Sequence, residues 1–97
     1  MIPTASDIEN TLRALKGELK RRFHVRRLGY FGSFATGRAH SDSDVDVLVE
    51  FSQPPGWEFF ELEELLETAL RRRVDLVTTG ALKAQLRDRI LREVRYV

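Results

Sequence analysis

Apolar residues recur at helical spacing from near the start of the chain: Ile8, Leu12, Leu15, Leu19 and Phe23 lie three or four positions apart. Ser6 followed by Glu9 has the form of a capping box, and Asp7 also suits a helix start, so a first helix is expected over about residues 6–23. Val25 to Phe31 reads as a strand that ends at Gly32-Ser33, and a short helical turn is expected across Phe34–Gly37. Gly37 and the polar run Arg38–Ser43 predict a loop. Asp44 to Phe51 then alternates in the manner of a strand, with Val45, Val47, Val49 and Phe51 on one face. Gln53-Pro54-Pro55-Gly56 interrupts the chain. Trp57 to about Arg71 predicts a second long helix that buries Leu62, Leu65, Leu66 and Ala69. Val74 to Thr78 is a short strand, and Thr79 suits the cap of a last helix with the stripe Leu82, Leu86, Ile90, Leu91 and Val94.

This order predicts an α/β fold: a small mixed β-sheet with helices packed mainly on one face, the other face left partly open for chemistry. The 97 residues suit one domain, spanning 1–97, with one small core. That length leaves no room for a separate substrate-binding domain, and a partner subunit could supply what is missing.

Composition removes several classes of function. The chain is 42% hydrophobic and 32% charged, as in soluble globular proteins. Sixteen basic and 15 acidic residues balance to a net charge of +1, so no direct nucleic-acid binding is expected. The absence of cysteine excludes disulfides, thiolate catalysis and cysteine zinc sites. No apolar run approaches the roughly 18 residues of a membrane span. The first residues lack the basic start and apolar stretch of a signal peptide, so no membrane contact and a cytoplasmic location are expected.

The candidate chemistry lies in the stretch from Gly32 to Asp46. Asp44 and Asp46, two apart on a strand, point the same way. Two carboxylates held that close repel unless a cation sits between them, and oxygen ligands suit magnesium or manganese. Alone, the pair is better read as a polar loop before an edge strand, where Asp is common. Asp75 lies inside the apolar run Val74-Asp75-Leu76-Val77; if its strand neighbours Asp44 and Asp46, three acids meet and suit two metal ions. The alternative for Asp75 is an ion pair with Arg71, Arg72 or Arg73. Gly32 allows close backbone approach, and Ser33 opens a helical turn whose free N–H groups attract anions.

Together these residues resemble the nucleotidyltransferase superfamily that shares the DNA polymerase β catalytic fold. The shared pattern is Gly-Ser, ten intervening residues, Asp-x-Asp, and a third Asp on a later strand. Here Gly32-Ser33, the ten residues Phe34 to Ser43, Asp44-Val45-Asp46 and Asp75 follow it, and Gly37 and Ser43 match as well. Within that superfamily the chain is similar to the minimal nucleotidyltransferases, or MNT proteins. The resemblance implies ATP as nucleotide donor, with two magnesium ions (or manganese) held by Asp44, Asp46 and Asp75. It also implies phosphate contacts from Gly32 and Ser33, and a HEPN-domain protein encoded nearby as partner. In that reading AMP passes to a tyrosine of the HEPN toxin, and the chain acts as antitoxin. Many relatives carry Arg where this chain has Thr36; Arg38, two positions on, could reach the same phosphates. Two rival readings are a catalytically silent antitoxin that acts by contact, and transfer to a small molecule such as an aminoglycoside. Retention of all three acids with Gly32-Ser33 argues against the first, and the short chain argues against the second.

Other features read as structural first. Arg71-Arg72-Arg73 suits a helix C-terminus, with triphosphate or partner contact as the alternative. His24 and His40 have no ligand spacing. Trp57, Phe59 and Phe60 cannot all face inward from one helix, and an exposed one could stack on a nucleobase or anchor a partner.

Overall fold

The computed structural model describes residues 3–97. The elements in chain order are α1 (Ala5–Phe23), β1 (Val25–Phe31), α2 (Ser33–Thr36), β2 (Val45–Phe51), α3 (Glu58–Leu70) and β3 (Val74–Thr78). A 3-10 turn (Thr79–Ala81), α4 (Ala84–Glu93) and β4 (Arg95–Tyr96) complete the chain. The strands form one mixed sheet in the order β3-β2-β1-β4: β1 runs antiparallel to both β2 and β4, and β2 runs parallel to β3.

The alternation in β2 sorts its side chains between two cores. Val45, Val47 and Val49 pack with Ile8, Leu12, Leu19 and Phe23 of α1 and with Leu62, Leu66 and Leu70 of α3. Leu48 points the other way, into a smaller cluster with Phe31 and Ile90, flanked by Val77, Leu82 and Val94. The two long helices therefore cover one face, and α4 lies against part of the other. The open part of that second face holds the candidate site.

Four local expectations are corrected. The first helix is capped by Thr4, not Ser6: the Thr4 N–H donates to Asp7 Oδ2 at 2.8 Å, and the Asp7 N–H donates to Thr4 Oγ1 at 3.1 Å. Thr4 and Asp7 stand three apart, so they form the same reciprocal box two residues earlier. Thr79 opens the 3-10 turn and does not cap α4, whose N-cap is Lys83 with no side-chain bond. Ala69 is exposed and Leu70 takes its place in the core. Of the stripe expected on the last helix, Ile90 is buried, while Leu86 and Leu91 are 45% and 37% exposed. β4 was not expected at all, because two residues have no period to read; Gly29 admits it, since a Cβ there would stand 2.8 Å from the Arg95 carbonyl oxygen.

Candidate active site

β1, β2 and β3 deliver three of the sequence-singled residues to one row. Gly32 follows β1, Asp46 is the second residue of β2, and Asp75 is the second residue of β3. The parallel register sets Asp46 directly opposite Asp75. Neighbouring strands lie about 4.8 Å apart, so the two carboxylates share a patch. Asp44 precedes β2 by one residue and is exposed. Asp75 is also exposed, because β3 is an edge strand; solvent reaches it, and burial does not have to be offset by a partner. Among the described residues Asp75 has no ion pair with Arg71, Arg72 or Arg73, which removes that alternative.

Asp46 is the perturbed member. Burial pushes its carboxyl pKa up to about 6, and the charges of Asp75, Asp44 and Glu93 add to the rise. Glu93, the last residue of α4, was not anticipated: its neighbourhood depends on α4 crossing the second face of the sheet, which no local pattern announces. Among the described residues no three acid or imidazole side chains are drawn together around one ion position. The donor set is nonetheless all oxygen, and its crowding is what a hard divalent cation would relieve.

Gly32 adopts φ 73° and ψ −146°, a conformation that favours glycine. A Cβ on Gly32 would run into the Asp46 carboxylate. The start of α2 is thereby held against the acid row, and the leading N–H groups of that turn have no helical partners. Thr36 has a structural role: its hydroxyl donates to the Gly32 carbonyl at 3.0 Å and so closes α2. Arg38 lies beyond Gly37, exposed, and its backbone N–H donates to the Ser33 carbonyl at 2.9 Å. Its side chain makes no ion pair with the described residues.

The loop before Asp44 is tied from outside. Arg72 Nη1 donates to the carbonyls of Ser41 and Ser43, each at 2.9 Å. The guanidinium also lies over the Phe34 ring, 5.6 Å from its centroid. Of the arginine triplet, Arg72 therefore ties this loop, and none of the three lies in the last turn of α3. His40 shapes the same loop, its Nδ1 accepting from the Asp42 N–H at 3.3 Å.

A cleft of about 400 Å³ opens between the acid row and α4. Its lining includes Phe31, Gly32, Asp46, Asp75, Val77, Leu82, Lys83, Leu86, Arg89 and Ile90. Trp57 and Phe60 are 83% and 60% exposed, with ring centroids 6.0 Å apart. They follow the end of β2 and stand at the start of α3, with Trp57 as its N-cap.

Comparison with known proteins agrees with this geometry. A protein of Thermococcus cleftensis named protein adenylyltransferase MntA is 50% identical over 97% of this chain and 96% of its own length. The solved structure of a protein assigned as a minimal nucleotidyltransferase superposes with a TM-score of 0.81 at 33% identity, covering 96% of this chain and 95% of that one. A solved toxin–antitoxin structure with AMP-PNP matches with a TM-score of 0.74 at 26% identity, over 91% of this chain and 70% of the other. The nucleotidyltransferase domain profile matches residues 12–97, from the middle of α1 through the acid row to the last residue, and the chain belongs to that family.

Proposed function

We propose that this chain is a metal-dependent protein adenylyltransferase that moves AMP from ATP to a tyrosine hydroxyl of a HEPN-type toxin in the cytoplasm, and so serves as its antitoxin. The observation that carries the reading is the row Gly32–Asp46–Asp75, a glycine pressed against one acid that faces another across a parallel register. The full-length likeness to a named protein adenylyltransferase and the toxin–antitoxin neighbour with AMP-PNP support the choice of donor and partner. Residues 1–97 act in this reading as one domain.

Gly32 and Ser33 hold the β- and γ-phosphates, with Arg38 near enough in sequence to assist. Asp44, Asp46 and Asp75 would hold magnesium, or manganese; when bound, such ions neutralise the triphosphate and stabilise the departing pyrophosphate. The acceptor oxygen forms a bond to the α-phosphorus. The bond from that phosphorus to its bridging oxygen breaks, and the electron pair leaves with pyrophosphate. The acceptor proton passes to Asp75, which is exposed and returns it to water.

The test uses the product of the adjacent gene, ATP and magnesium. The partner's mass is expected to rise by one or more AMP units. EDTA and Asp44→Asn are each expected to abolish the rise, while Asp44→Asn leaves association with the partner intact. If the native protein neutralises its partner with no mass change, and Asp44→Asn does so equally well, inhibition by contact replaces the enzymatic reading.

A further inference from the structure

We infer that a second copy of this chain docks on the outer surface of the helical layer, with α1 of each copy lying along α3 of the other. This does not depend on the proposed function. Val45, Val47 and Val49 of β2 pack under the two helices, so Asp46 and the acid row lie on the opposite face of the sheet. Each copy in such a pair keeps its acid row open.

The helical period places this surface. α1 buries Ile8, Leu12, Leu19 and Phe23, so Arg13, Gly17 and Arg21 ride on its far side, all exposed. α3 buries Leu62, Leu66 and Leu70, so Trp57, Phe60, Glu61 and Glu64 ride on its far side, also exposed. The Trp57 and Phe60 rings form an apolar patch that the chain itself leaves uncovered, and such a patch marks a docking surface. The two helices run antiparallel: α1 leads into β1, β1 is antiparallel to β2, and β2 leads into α3. The C-terminal end of α1 therefore lies beside the N-terminal end of α3, where Phe23, His24 and Glu58 line one small cavity.

Charge identifies the occupant. Among the described residues Glu61, Glu64 and Arg21 form no ion pair, and Arg13 reaches only Glu9 of its own helix, at 3.9 Å. The outer side of α1 is thus basic and that of α3 acidic. A two-fold axis along the groove between the helices lays α1 of one copy over α3 of the other with matching ends together. Arg21 then faces Glu61 and the Trp57 ring of the second copy, and Arg13 faces Glu64 of the second copy. Gly17, between the two arginines, lets the helices approach. By symmetry each contact is made twice. α1 has 19 residues and α3 has 13, so they are about 28 and 20 Å long. At a width of about 10 Å each they cover about 500 Å² per copy, or about 1,000 Å² in all, the lower end for a specific interface. The pair is therefore reversible and concentration-dependent.

The experiment is sedimentation equilibrium of the full chain at rising concentration, with Trp57, the only tryptophan, as a fluorescent reporter. The native protein should approach twice the mass of one chain, and its emission should move to shorter wavelength over the same concentrations. Trp57→Ala should raise the dimer dissociation constant about tenfold or more. Arg21→Glu and Glu61→Arg should each stay monomeric alone, because like charges then face each other. Mixed one to one, these two variants should pair, since each offers the charge that the other lacks at both contacts. All three positions are exposed, so the melting temperatures of the monomers should match the native chain's. A native chain still monomeric at about 1 mM would overturn the inference. A mixture that fails to pair would do the same, as would a dimer that none of the three variants disturbs. An emission shift that requires the adjacent gene's product, with no pairing of this chain, would assign the surface to that protein and overturn the inference as well.

Discussion

Gly32 and Asp46 are in such close contact that no side chain larger than hydrogen fits between them. Gly32 sits at φ 73°, so an L-residue there also meets backbone strain of about 1–2 kcal/mol. Gly32→Ala should therefore lose stability by at least that amount in urea denaturation. It should also lose about a hundredfold or more in AMP transfer, because the acid and the phosphate-binding turn are pushed apart. A variant with normal activity would mean that this contact does not set the site geometry.

Asp46→Asn should stabilise the protein when metal is absent. The folded-state pKa of Asp46 is raised from 3.8 to about 6, so the native state holds its proton more tightly than the unfolded chain. Stability then falls as pH rises from about 4 through about 6, and stays at the lower level above that. Asparagine carries no charge to crowd against Asp75, Asp44 and Glu93. In EDTA the variant should melt above the native protein at pH 7.5, with the gap closing at pH 4. Magnesium with ATP should raise the native melting temperature and leave the variant unmoved. A gap of the same size at both pH values would contradict this account.

Ser33→Ala should leave the fold intact and weaken ATP binding by about 1 kcal/mol, the worth of one hydroxyl hydrogen bond to phosphate. Calorimetry reads this directly. Unchanged affinity would take the hydroxyl out of the mechanism and leave the backbone N–H groups of the turn as the phosphate contact.

Arg72 is expected to act through the loop it holds. Arg72→Met removes two hydrogen bonds, to the carbonyls of Ser41 and Ser43, and frees the segment that presents Asp44. Stability should drop by about 1–2 kcal/mol, and kcat should fall while the ATP dissociation constant stays within about twofold. A marked loss of ATP affinity would instead put Arg72 on the triphosphate.

The sequence by itself determined the elements whose period exceeds their ends. The stripe from Ile8 to Phe23, the alternation of Val45, Val47 and Val49, and the run around Asp75 each carried enough repeats to name their type, and α1, β2 and β3 are found there. The spacing from Gly32-Ser33 to Asp44 and Asp46 was equally legible, because a short motif keeps its chemistry in local geometry. Tertiary structure alone decided which strands are neighbours, and with it the register that sets Asp46 against Asp75. It decided that β3 is an edge, so that Asp75 is solvated and, among the described residues, has no arginine ion pair. It also brought Glu93 towards Asp46, Arg72 onto Ser41 and Ser43, and Lys83 and Leu86 to the cleft. Each of these relationships joins residues far apart in the chain or on different elements. Hydrophobic period reports which face of one element is buried; the partner that buries it is chosen by the packing of all the elements at once.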